Sequence, residues 1–219
     1  MGNTFIGVIK STWRSVRKSN RYSGKNYYSE KIQSQYSKLD VYRNIADCSN
    51  LEALSTDANI AFFESSKFQK NPKRYLKRKY GTPSHTIKNN HSIGKITILV
   101  YRFYLGKHKT KLELHFFEKT LIMYTYRFSH IEDDLSKNQL IDMLNKKYGI
   151  PSETNYKEQY IVDSGMKMIF VTDSVDLTVN YINFSSTGFL RKMETTLNRT
   201  RQIRKTTNRK MEQLLVQQL

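Results

Sequence analysis

Between residues 95 and 128, the chain contains three short segments in which apolar residues either alternate with polar ones or follow one another directly. The runs are KITILVYRFYL at 95–105, KLELHFF at 111–117 and TLIMYTYRF at 120–128. A period of two is typical of β-strands, and the two residues that separate the last two runs predict a hairpin. In the middle run Leu112 and Leu114 alternate with Glu113 and His115, which predicts one buried face and one face in water. We therefore expect an antiparallel meander of three strands.

A short helix is predicted directly before this meander. Asn71 is a good capping residue, and Pro72 occupies the first helical position, where proline is tolerated. The helix runs through KRYLKRKY, and the segment KYGTPS at 79–84 predicts its end. Gly81 can adopt the positive φ that closes a last helical turn, and Pro83 cannot continue a helix.

The same stop occurs a second time, as KYGIPS at 147–152. A helix is again predicted before it, with Ser136 and Gln139 as a capping box. Three strand-like runs follow, YIVDS, MKMIFVTD and VDLTVNYINF. Coincidence is one interpretation, because any helix-to-strand stop favours glycine and proline. The matching lysine, tyrosine and serine favour the other interpretation, which is an internal repeat of helix, stop and three strands.

Helices are also predicted before the repeats. Phe5, Ile9 and Trp13 fall near helical spacing among basic residues, and a linker is predicted from 19 to 29. The basic amphipathic helix either lies on an anionic membrane or a partner, or packs on its own domain. One or two further helices are predicted within 30–70, the second of them from the spacing of Leu51, Leu54, Ala58 and Phe62.

The fold class is therefore predicted as α+β, with two tandem units that each consist of a helix and a three-stranded antiparallel meander. N-terminal helices and a basic C-terminal helix flank these units. The predicted segments are a basic N-terminal arm with a short amphipathic helix (1–29), a helical region (30–70), a basic first repeat (71–130), an acidic second repeat (131–186) and a basic C-terminal helix (187–219).

The pattern L-x-x-K-Y-G-x-P-S, followed by aromatic-rich strands that end in Y-x-x-F, resembles the repeated units of the β-lactamase-inhibitor-protein-like fold. It is also similar to the small outer-membrane assembly lipoprotein domains. The resemblance covers roughly residues 71 to 184. It implies a non-enzymatic, extracytoplasmic binding protein. The chain lacks the paired cysteines of some members, since it contains only one cysteine.

Charge separates the two predicted repeats. The net charge of the chain is +18. Residues 71–130 carry 13 Lys and Arg against 2 Asp and Glu, a net charge of +11, whereas residues 132–186 carry 5 against 9, a net charge of −4. The tail from 187 carries 8 against 2, a net charge of +6. A local positive excess favours a polyanionic partner, nucleic acid first and an acidic protein surface second. The alternative is a lysine-rich surface that serves solubility.

Candidate binding residues lie in the first repeat and in the tail. Basic side chains four residues apart on the first repeat helix form neighbouring ridges, and further basic residues fall on the meander, its turns and the C-terminal helix. The candidates are Lys73, Arg74, Lys77, Arg78, Lys79, Arg102, Lys107, Lys109, Lys111, Arg201, Arg204, Lys205, Arg209 and Lys210. Interleaved Tyr101, Phe103, Tyr104 and Phe117 are possible stacking surfaces for the bases of a single strand. The alternative places these aromatic residues in the core and the lysines on a solvated face.

The sequence carries no pattern that is typical of an enzyme. Its nine glycines form neither a phosphate-binding loop nor a dinucleotide-binding fingerprint. We therefore predict no catalytic residues and no cofactor. The segment HIEDD at 130–134 is the best candidate for a metal site, but an acidic loop before a helix explains it better, so no metal is predicted. Cys48 is interpreted as a structural thiol.

Compartment and function follow from these observations as expectations. A single cysteine permits no intramolecular disulfide, and no apolar run reaches the roughly 20 residues of a membrane span, which favours a cytoplasmic location. The expected function is non-catalytic binding of an anionic partner, nucleic acid in the first place. The alternative is a structural or assembly subunit that docks into a larger complex through its terminal segments.

Overall fold

The structure is a computed structural model that describes residues 25–47, 52–60, 68, 71–129, 131, 133–151, 158–173, 176–184 and 188–218. The predicted N-terminal amphipathic helix, Cys48, His130 and Glu132 lie outside the described residues. In chain order the elements are α1 (Lys25–Gln35), α2 (Asp40–Ala46), β1 (Ala53–Thr56), α3 (Pro72–Tyr80), β2 (His85–His91), β3 (Gly94–Leu105), β4 (His108–Phe117), β5 (Thr120–Phe128), α4 (Asp134–Tyr148), β6 (Glu158–Asp163), β7 (Met168–Asp173), β8 (Leu177–Ile182) and α5 (Phe189–Gln218).

All eight strands belong to one sheet, in the order β1-β6-β7-β8-β5-β4-β3-β2. The pair β1 and β6 is parallel, and the other pairs are antiparallel. The chain is thus an α+β protein, and the six strand runs named above are strands. The meander after α3 has four strands rather than the predicted three, because the polar segment HTIKNNH forms β2 at the sheet edge. Ile87 and Asn89 lie on the same face of β2 and are buried, although most residues of this strand are polar.

Two helices cover one face of the sheet, which we call the α3–α4 face. Leu76 and Tyr80 of α3 and Ile141 and Tyr148 of α4 belong to one buried cluster. Their partners on the strands are also apolar: Leu99, Tyr101, Phe103, Leu112, Leu114, Phe116, Tyr124, Phe128, Ile161, Val171, Val179 and Tyr181. Burial of this apolar area is the main force that holds both helices on the sheet.

The opposite face, which we call the α1–α2 face, is covered by α1, α2 and the first turns of α5. Its buried cluster contains Ile32 of α1, Tyr42 of α2 and Met193 of α5.

The structure corrects two predictions on this face. The predicted linker over 19–29 is wrong at its end, because α1 already begins at Lys25. The predicted wet face of β4 is also wrong, since helices cover the sheet on both sides here and Glu113 and His115 are fully buried.

The predicted second helix of the region 30–70 is wrong as well. Residues from Ala53 to Thr56 form the edge strand β1, which pairs with β6 more than a hundred residues later in the chain. Leu54 packs against the cluster of the α3–α4 face, and Thr56 donates its hydroxyl hydrogen to the carbonyl oxygen of Tyr148 at 2.6 Å. Pairing with a distant strand therefore overrides the local helical spacing.

Two side chains cap the helices on the α3–α4 face. Asn71 caps α3, since its side-chain oxygen accepts a hydrogen bond from the backbone N–H of Arg74, and Pro72 follows at the start of the helix. This cap confirms the prediction. At α4 the cap is Asp133, which accepts from the N–H of Ser136, so the predicted capping box on Ser136 is wrong. A carboxylate at this position also interacts favourably with the helix dipole.

The two glycines of the repeated stop both have positive φ, as predicted, but they differ in ψ. Gly149 has φ 68° and ψ 24°, the left-handed helical conformation, whereas Gly81 has φ 77° and ψ −156°. The first conformation is open to asparagine, and the second is nearly restricted to glycine. A Cβ atom would meet nothing within 4 Å at either position, so the difference lies in the backbone alone.

We expect unequal effects when each glycine is replaced by asparagine. Gly149→Asn should change the free energy of unfolding by less than about 1 kcal/mol, whereas Gly81→Asn should lower it by about 1–3 kcal/mol. Urea denaturation of both variants measures the difference. Equal losses would contradict the assigned backbone conformations.

Candidate nucleic-acid interface

The helix α3 presents a dense set of cations to solvent. Its buried side, Leu76 and Tyr80, faces the sheet, and Lys73, Arg74, Lys77 and Arg78 all lie exposed on the remaining surface. Among the described residues, none of these four cations takes part in an ion pair.

The spacing of these cations has an energetic consequence. Lys73 with Lys77, and Arg74 with Arg78, are like charges four residues apart on one helix, which destabilises a helix by about 0.2–0.5 kcal/mol for each pair. The fifth cation, Lys79, lies over the rings of Tyr75 and Tyr80, with its Nζ 5.8 and 5.0 Å from the two centroids. The helix therefore concentrates uncompensated charge on a surface that the sheet holds in place.

A second group of cations lies on the α1–α2 face. Arg102, Lys111 and Arg127 stand directly opposite one another on β3, β4 and β5. Arg102 is exposed and its guanidinium carbon lies 5.2 Å from the ring centroid of Tyr28, while Nζ of the half-buried Lys111 lies 4.2 Å from it. Burial lowers the pKa of Lys111. The face of an aromatic ring attracts both cations and fixes their positions.

The remaining candidates from residues 71–130 lie at the far end of β3 and β4. Exposed Lys109 stands opposite Tyr104, and exposed Lys107 lies in the turn between the strands. Of the four aromatic residues proposed for stacking, only Tyr104 is accessible, with 43% of its surface exposed. Tyr101, Phe103 and Phe117 are buried in the two clusters, so the stacking prediction is wrong for these three.

The C-terminal helix carries the last group. Phe189, Met193 and Leu197 anchor α5 in the cluster of the α1–α2 face. Every side chain from Asn198 to Asn208 is exposed, and Arg201, Arg204 and Lys205 lie in this stretch. Arg209 and Lys210 continue the same helix, but their side chains lie outside the described part of the chain. A helical stretch whose side chains are all exposed in this way gains no stability from burial against its own domain.

The structure therefore distributes the candidate residues over separate surfaces. The α3 set lies on one side of the sheet, and Arg102, Lys109 and Lys111 lie on the other side, where α5 is also anchored. The sequence could not distinguish these sides, because residues that are close together in the chain lie on opposite faces of the sheet.

A buried polar cluster supports the second group of cations and was not predicted. The Glu113 carboxylate accepts hydrogen bonds from the hydroxyls of Tyr28 at 2.8 Å and Tyr36 at 3.3 Å, and from Nε of Arg127 at 3.1 Å. Nδ1 of His115 is hydrogen-bonded to the hydroxyl of Tyr42 at 3.0 Å. We call Glu113, His115 and Arg127 with the three tyrosines the Glu113 cluster. It fixes Tyr28 beneath Arg102 and Lys111.

The Glu113 cluster holds its charges in a defined state. Burial alone would raise the pKa of Glu113, but the contact with His115 and the charge of Arg127 outweigh it and lower the pKa to about 2. Burial lowers the pKa of His115, which is therefore neutral at neutral pH, and Nε2 of its ring lies 3.8 Å from the carboxylate. Burial and the adjacent Glu113 carboxylate raise the pKa of Tyr28, so its hydroxyl remains a hydrogen-bond donor. Glu113 and His115 are closed to solvent, and their contacts within the protein are the hydrogen bonds and charge interactions of this cluster.

Two further observations limit the chemistry of the described residues. In this part of the chain, no three His, Cys, Asp or Glu side chains lie close enough together to hold a metal ion. None of the described helices is long and apolar enough to cross a membrane.

Comparisons of the chain with known protein families, with characterised proteins and with solved structures give no match.

Proposed function

We propose that the protein is a non-catalytic nucleic-acid-binding protein and that α3 is its principal interface. The observation that carries this proposal is the set of four exposed cations on α3, which have no ion-pair partner among the described residues and repel one another along the helix. Phosphate groups of a polyanion relieve this repulsion. The four cations are spread along an exposed helix surface, which suits contact with a phosphate backbone.

The exposed stretch of α5 from Asn198 to Asn208 is proposed as a second contact. The preceding residue Leu197 anchors this stretch to the body of the protein, while the side chains of the stretch itself are exposed. The eleven residues of this stretch span about 16 Å along the helix axis, enough to follow a few phosphates.

The alternative function is that of an assembly subunit, and one observation favours it. Ile203 lies in the middle of the exposed stretch of α5 with 58% of its surface in solvent. An apolar side chain in an otherwise polar, unpacked helix is consistent with docking on a protein partner. In this case the surrounding charge serves to orient the partner.

We also propose that the two halves of the sheet derive from one duplicated unit, as in the folds that the sequence resembles. The helices α3 and α4 each precede an antiparallel meander, and the last strands of both meanders, β5 and β8, pair in the sheet. Tyr124 and Tyr181 lie opposite each other there, with ring centroids 4.4 Å apart. A cytoplasmic location remains our proposal, on the basis of the single cysteine.

The proposed function predicts binding with a steep salt dependence. Fluorescence anisotropy with labelled single strands and duplexes should give an affinity that falls about 100-fold between about 50 and 200 mM salt, as four phosphate contacts require. Polyglutamate is the matched competitor. Absence of binding at low salt would exclude the proposal, and equal competition by polyglutamate would favour an acidic protein partner instead.

A further inference from the structure

A cavity opens between the helix α4 and the turn that joins β3 to β4, and we call it the turn cavity. Its apolar lining comes from Leu105 of β3 and from Leu140 and Met143 of α4. Its volume is about 270 Å³, just below the range of about 300–1,000 Å³ that is typical of drug-sized ligands. A narrower cavity of about 40 Å³ adjoins it beneath α4 and has too little room for a ring. The turn cavity therefore suits a single small ring system.

The turn cavity lies on the same face of the sheet as the cations of α3. Leu105 and Leu140 pack against the buried cluster that also contains Tyr80, the last residue of α3. The ring centroids of Tyr80 and Tyr101 are 5.5 Å apart. Tyr101 precedes Leu105 by four residues on β3, a distance of about 13 Å along a strand. A chain of nucleotides that contacts the end of α3 can therefore reach the turn cavity.

The polar groups that line the turn cavity match those of a nucleotide. Lys107 is exposed and can contact a phosphate. Gln139 carries amide donors and an acceptor, which can pair with the edge of a base, and His108 offers a ring for stacking. No carboxylate lines the cavity among the described residues. Asp133 lies near Lys107, but its carboxylate accepts a backbone N–H as the cap of α4.

One apolar side chain of the lining stands in water. Met143 is 56% exposed, whereas Leu140 on the same helix is partly buried against the core. Covering an exposed apolar side chain with another apolar surface is favourable. The face of a base is such a surface, and in a single strand a base can leave its neighbours to stack on protein side chains.

We propose that the turn cavity binds one unstacked base of a single-stranded nucleic acid whose backbone contacts α3. The base lies against Leu105, Leu140 and Met143, and the adjoining phosphate lies at Lys107. This inference rests on the proposed nucleic-acid function. It adds a preference for single strands, because a base in a duplex remains stacked and paired.

Fluorescence anisotropy on the full-length chain tests the proposal with two labelled strands of about ten nucleotides. One strand carries its bases, and the other has the same phosphates and sugars but no bases. We expect the strand with bases to bind about 10- to 100-fold more tightly, as one stacked base contributes. The ratio of the two affinities is the measure, because a change in charge contacts affects both strands alike.

Matched variants on α4 locate the base. Met143→Glu places a hydrated carboxylate in the apolar lining, so the ratio should fall to nearly one. Leu135→Glu adds the same charge at an exposed residue of α4 that does not line the cavity, and it should keep the wild-type ratio. Gln139→Ala should lower the ratio about fivefold, whereas Asn138→Ala, at the exposed neighbouring residue, should not. Melting temperatures equal to that of the wild-type protein show that the variants are folded.

Failure of this inference and failure of the proposed function give different results. Equal affinity for the two strands would overturn the inference and leave the proposed function intact. A ratio that does not fall in Met143→Glu, or that falls equally in Leu135→Glu, would place the base elsewhere and overturn it as well. If neither strand binds at low salt, the proposed function fails and the inference fails with it. A free mononucleotide that competes as well as the strand would assign the cavity to a small molecule instead.

Discussion

Glu113→Gln is expected to lower the free energy of unfolding at neutral pH by about 3 kcal/mol, because it removes the charge that Arg127 and the buried tyrosines stabilise. The substitution keeps the shape of the side chain, but it replaces one of the two acceptor oxygens with an NH2 group. The amide oxygen can still accept from Tyr28, while the NH2 group then faces the hydroxyl of Tyr36. Among the described residues, Arg127 then keeps one ion pair, in which its Nη1 lies 3.7 Å from Oδ2 of Asp176. Urea denaturation at neutral pH measures the loss. Glu158→Gln on β6 is the control, because Glu158 is exposed and its loss should cost little.

The pH dependence of this difference identifies its cause. The pKa of Glu113 is about 2 in the folded protein, against an ordinary value of 4.5. A carboxyl whose folded pKa is depressed stabilises the protein above the ordinary pKa and loses that contribution as the pH falls through the folded pKa. The stability difference between the wild-type protein and Glu113→Gln should therefore shrink between about pH 4.5 and pH 2. A difference that stays constant over this range would indicate a packing defect rather than a lost charge.

Much of the secondary structure after residue 71 could be predicted because its causes are local. The stops at Gly81 and Gly149 depend on a positive φ, and Asn71 with Pro72 marks a helix start by its own chemistry. The edge strand β1 could not be predicted, because its four residues are held by pairing with β6 and by a hydrogen bond to Tyr148. Such long-range contacts leave no periodic trace in a short segment.

The candidate site could be predicted only in part, because local spacing locates the cations of α3 but does not reveal which strand residues a helix covers. The cations of α3 could be placed on one exposed surface, since helical spacing and the buried Leu76 define which side faces the sheet. Glu113 was placed in water because alternation on β4 distinguishes two faces but does not tell whether a helix covers each of them. Tyr28 of α1 and Tyr36, the residue directly after α1, are eight residues apart, and both donate to the Glu113 carboxylate. This pair of tyrosines was the sign in the sequence that polar groups meet beneath the helix. Hydroxyl donors at that spacing can satisfy a buried carboxylate.

The combined substitution Lys73→Gln, Arg74→Gln, Lys77→Gln and Arg78→Gln is expected to weaken nucleic-acid binding by about 1,000-fold at about 50 mM salt. Four phosphate contacts contribute about 3.6 to the slope of log affinity against log salt for duplex DNA, and this part of the slope should disappear. Anisotropy titrations at several salt concentrations measure both quantities.

A control with the same net charge separates a local interface from the general charge of the protein. Lys31, Lys38, Lys88 and Lys95 are exposed and lie outside α3, so their replacement by glutamine removes the same four charges elsewhere. This control should keep most of the affinity, and an equal loss in both variants would contradict an interface on α3.

Stability supplies the second criterion. The α3 variant loses two repulsive pairs, but it also loses the favourable interaction of Lys77 and Arg78 with the carboxyl end of the helix dipole. The two effects are of similar size, so the free energy of unfolding should stay within about 1 kcal/mol of the wild-type value. A large loss of binding with so small a change in stability assigns the effect to the interface rather than to a defect in the fold.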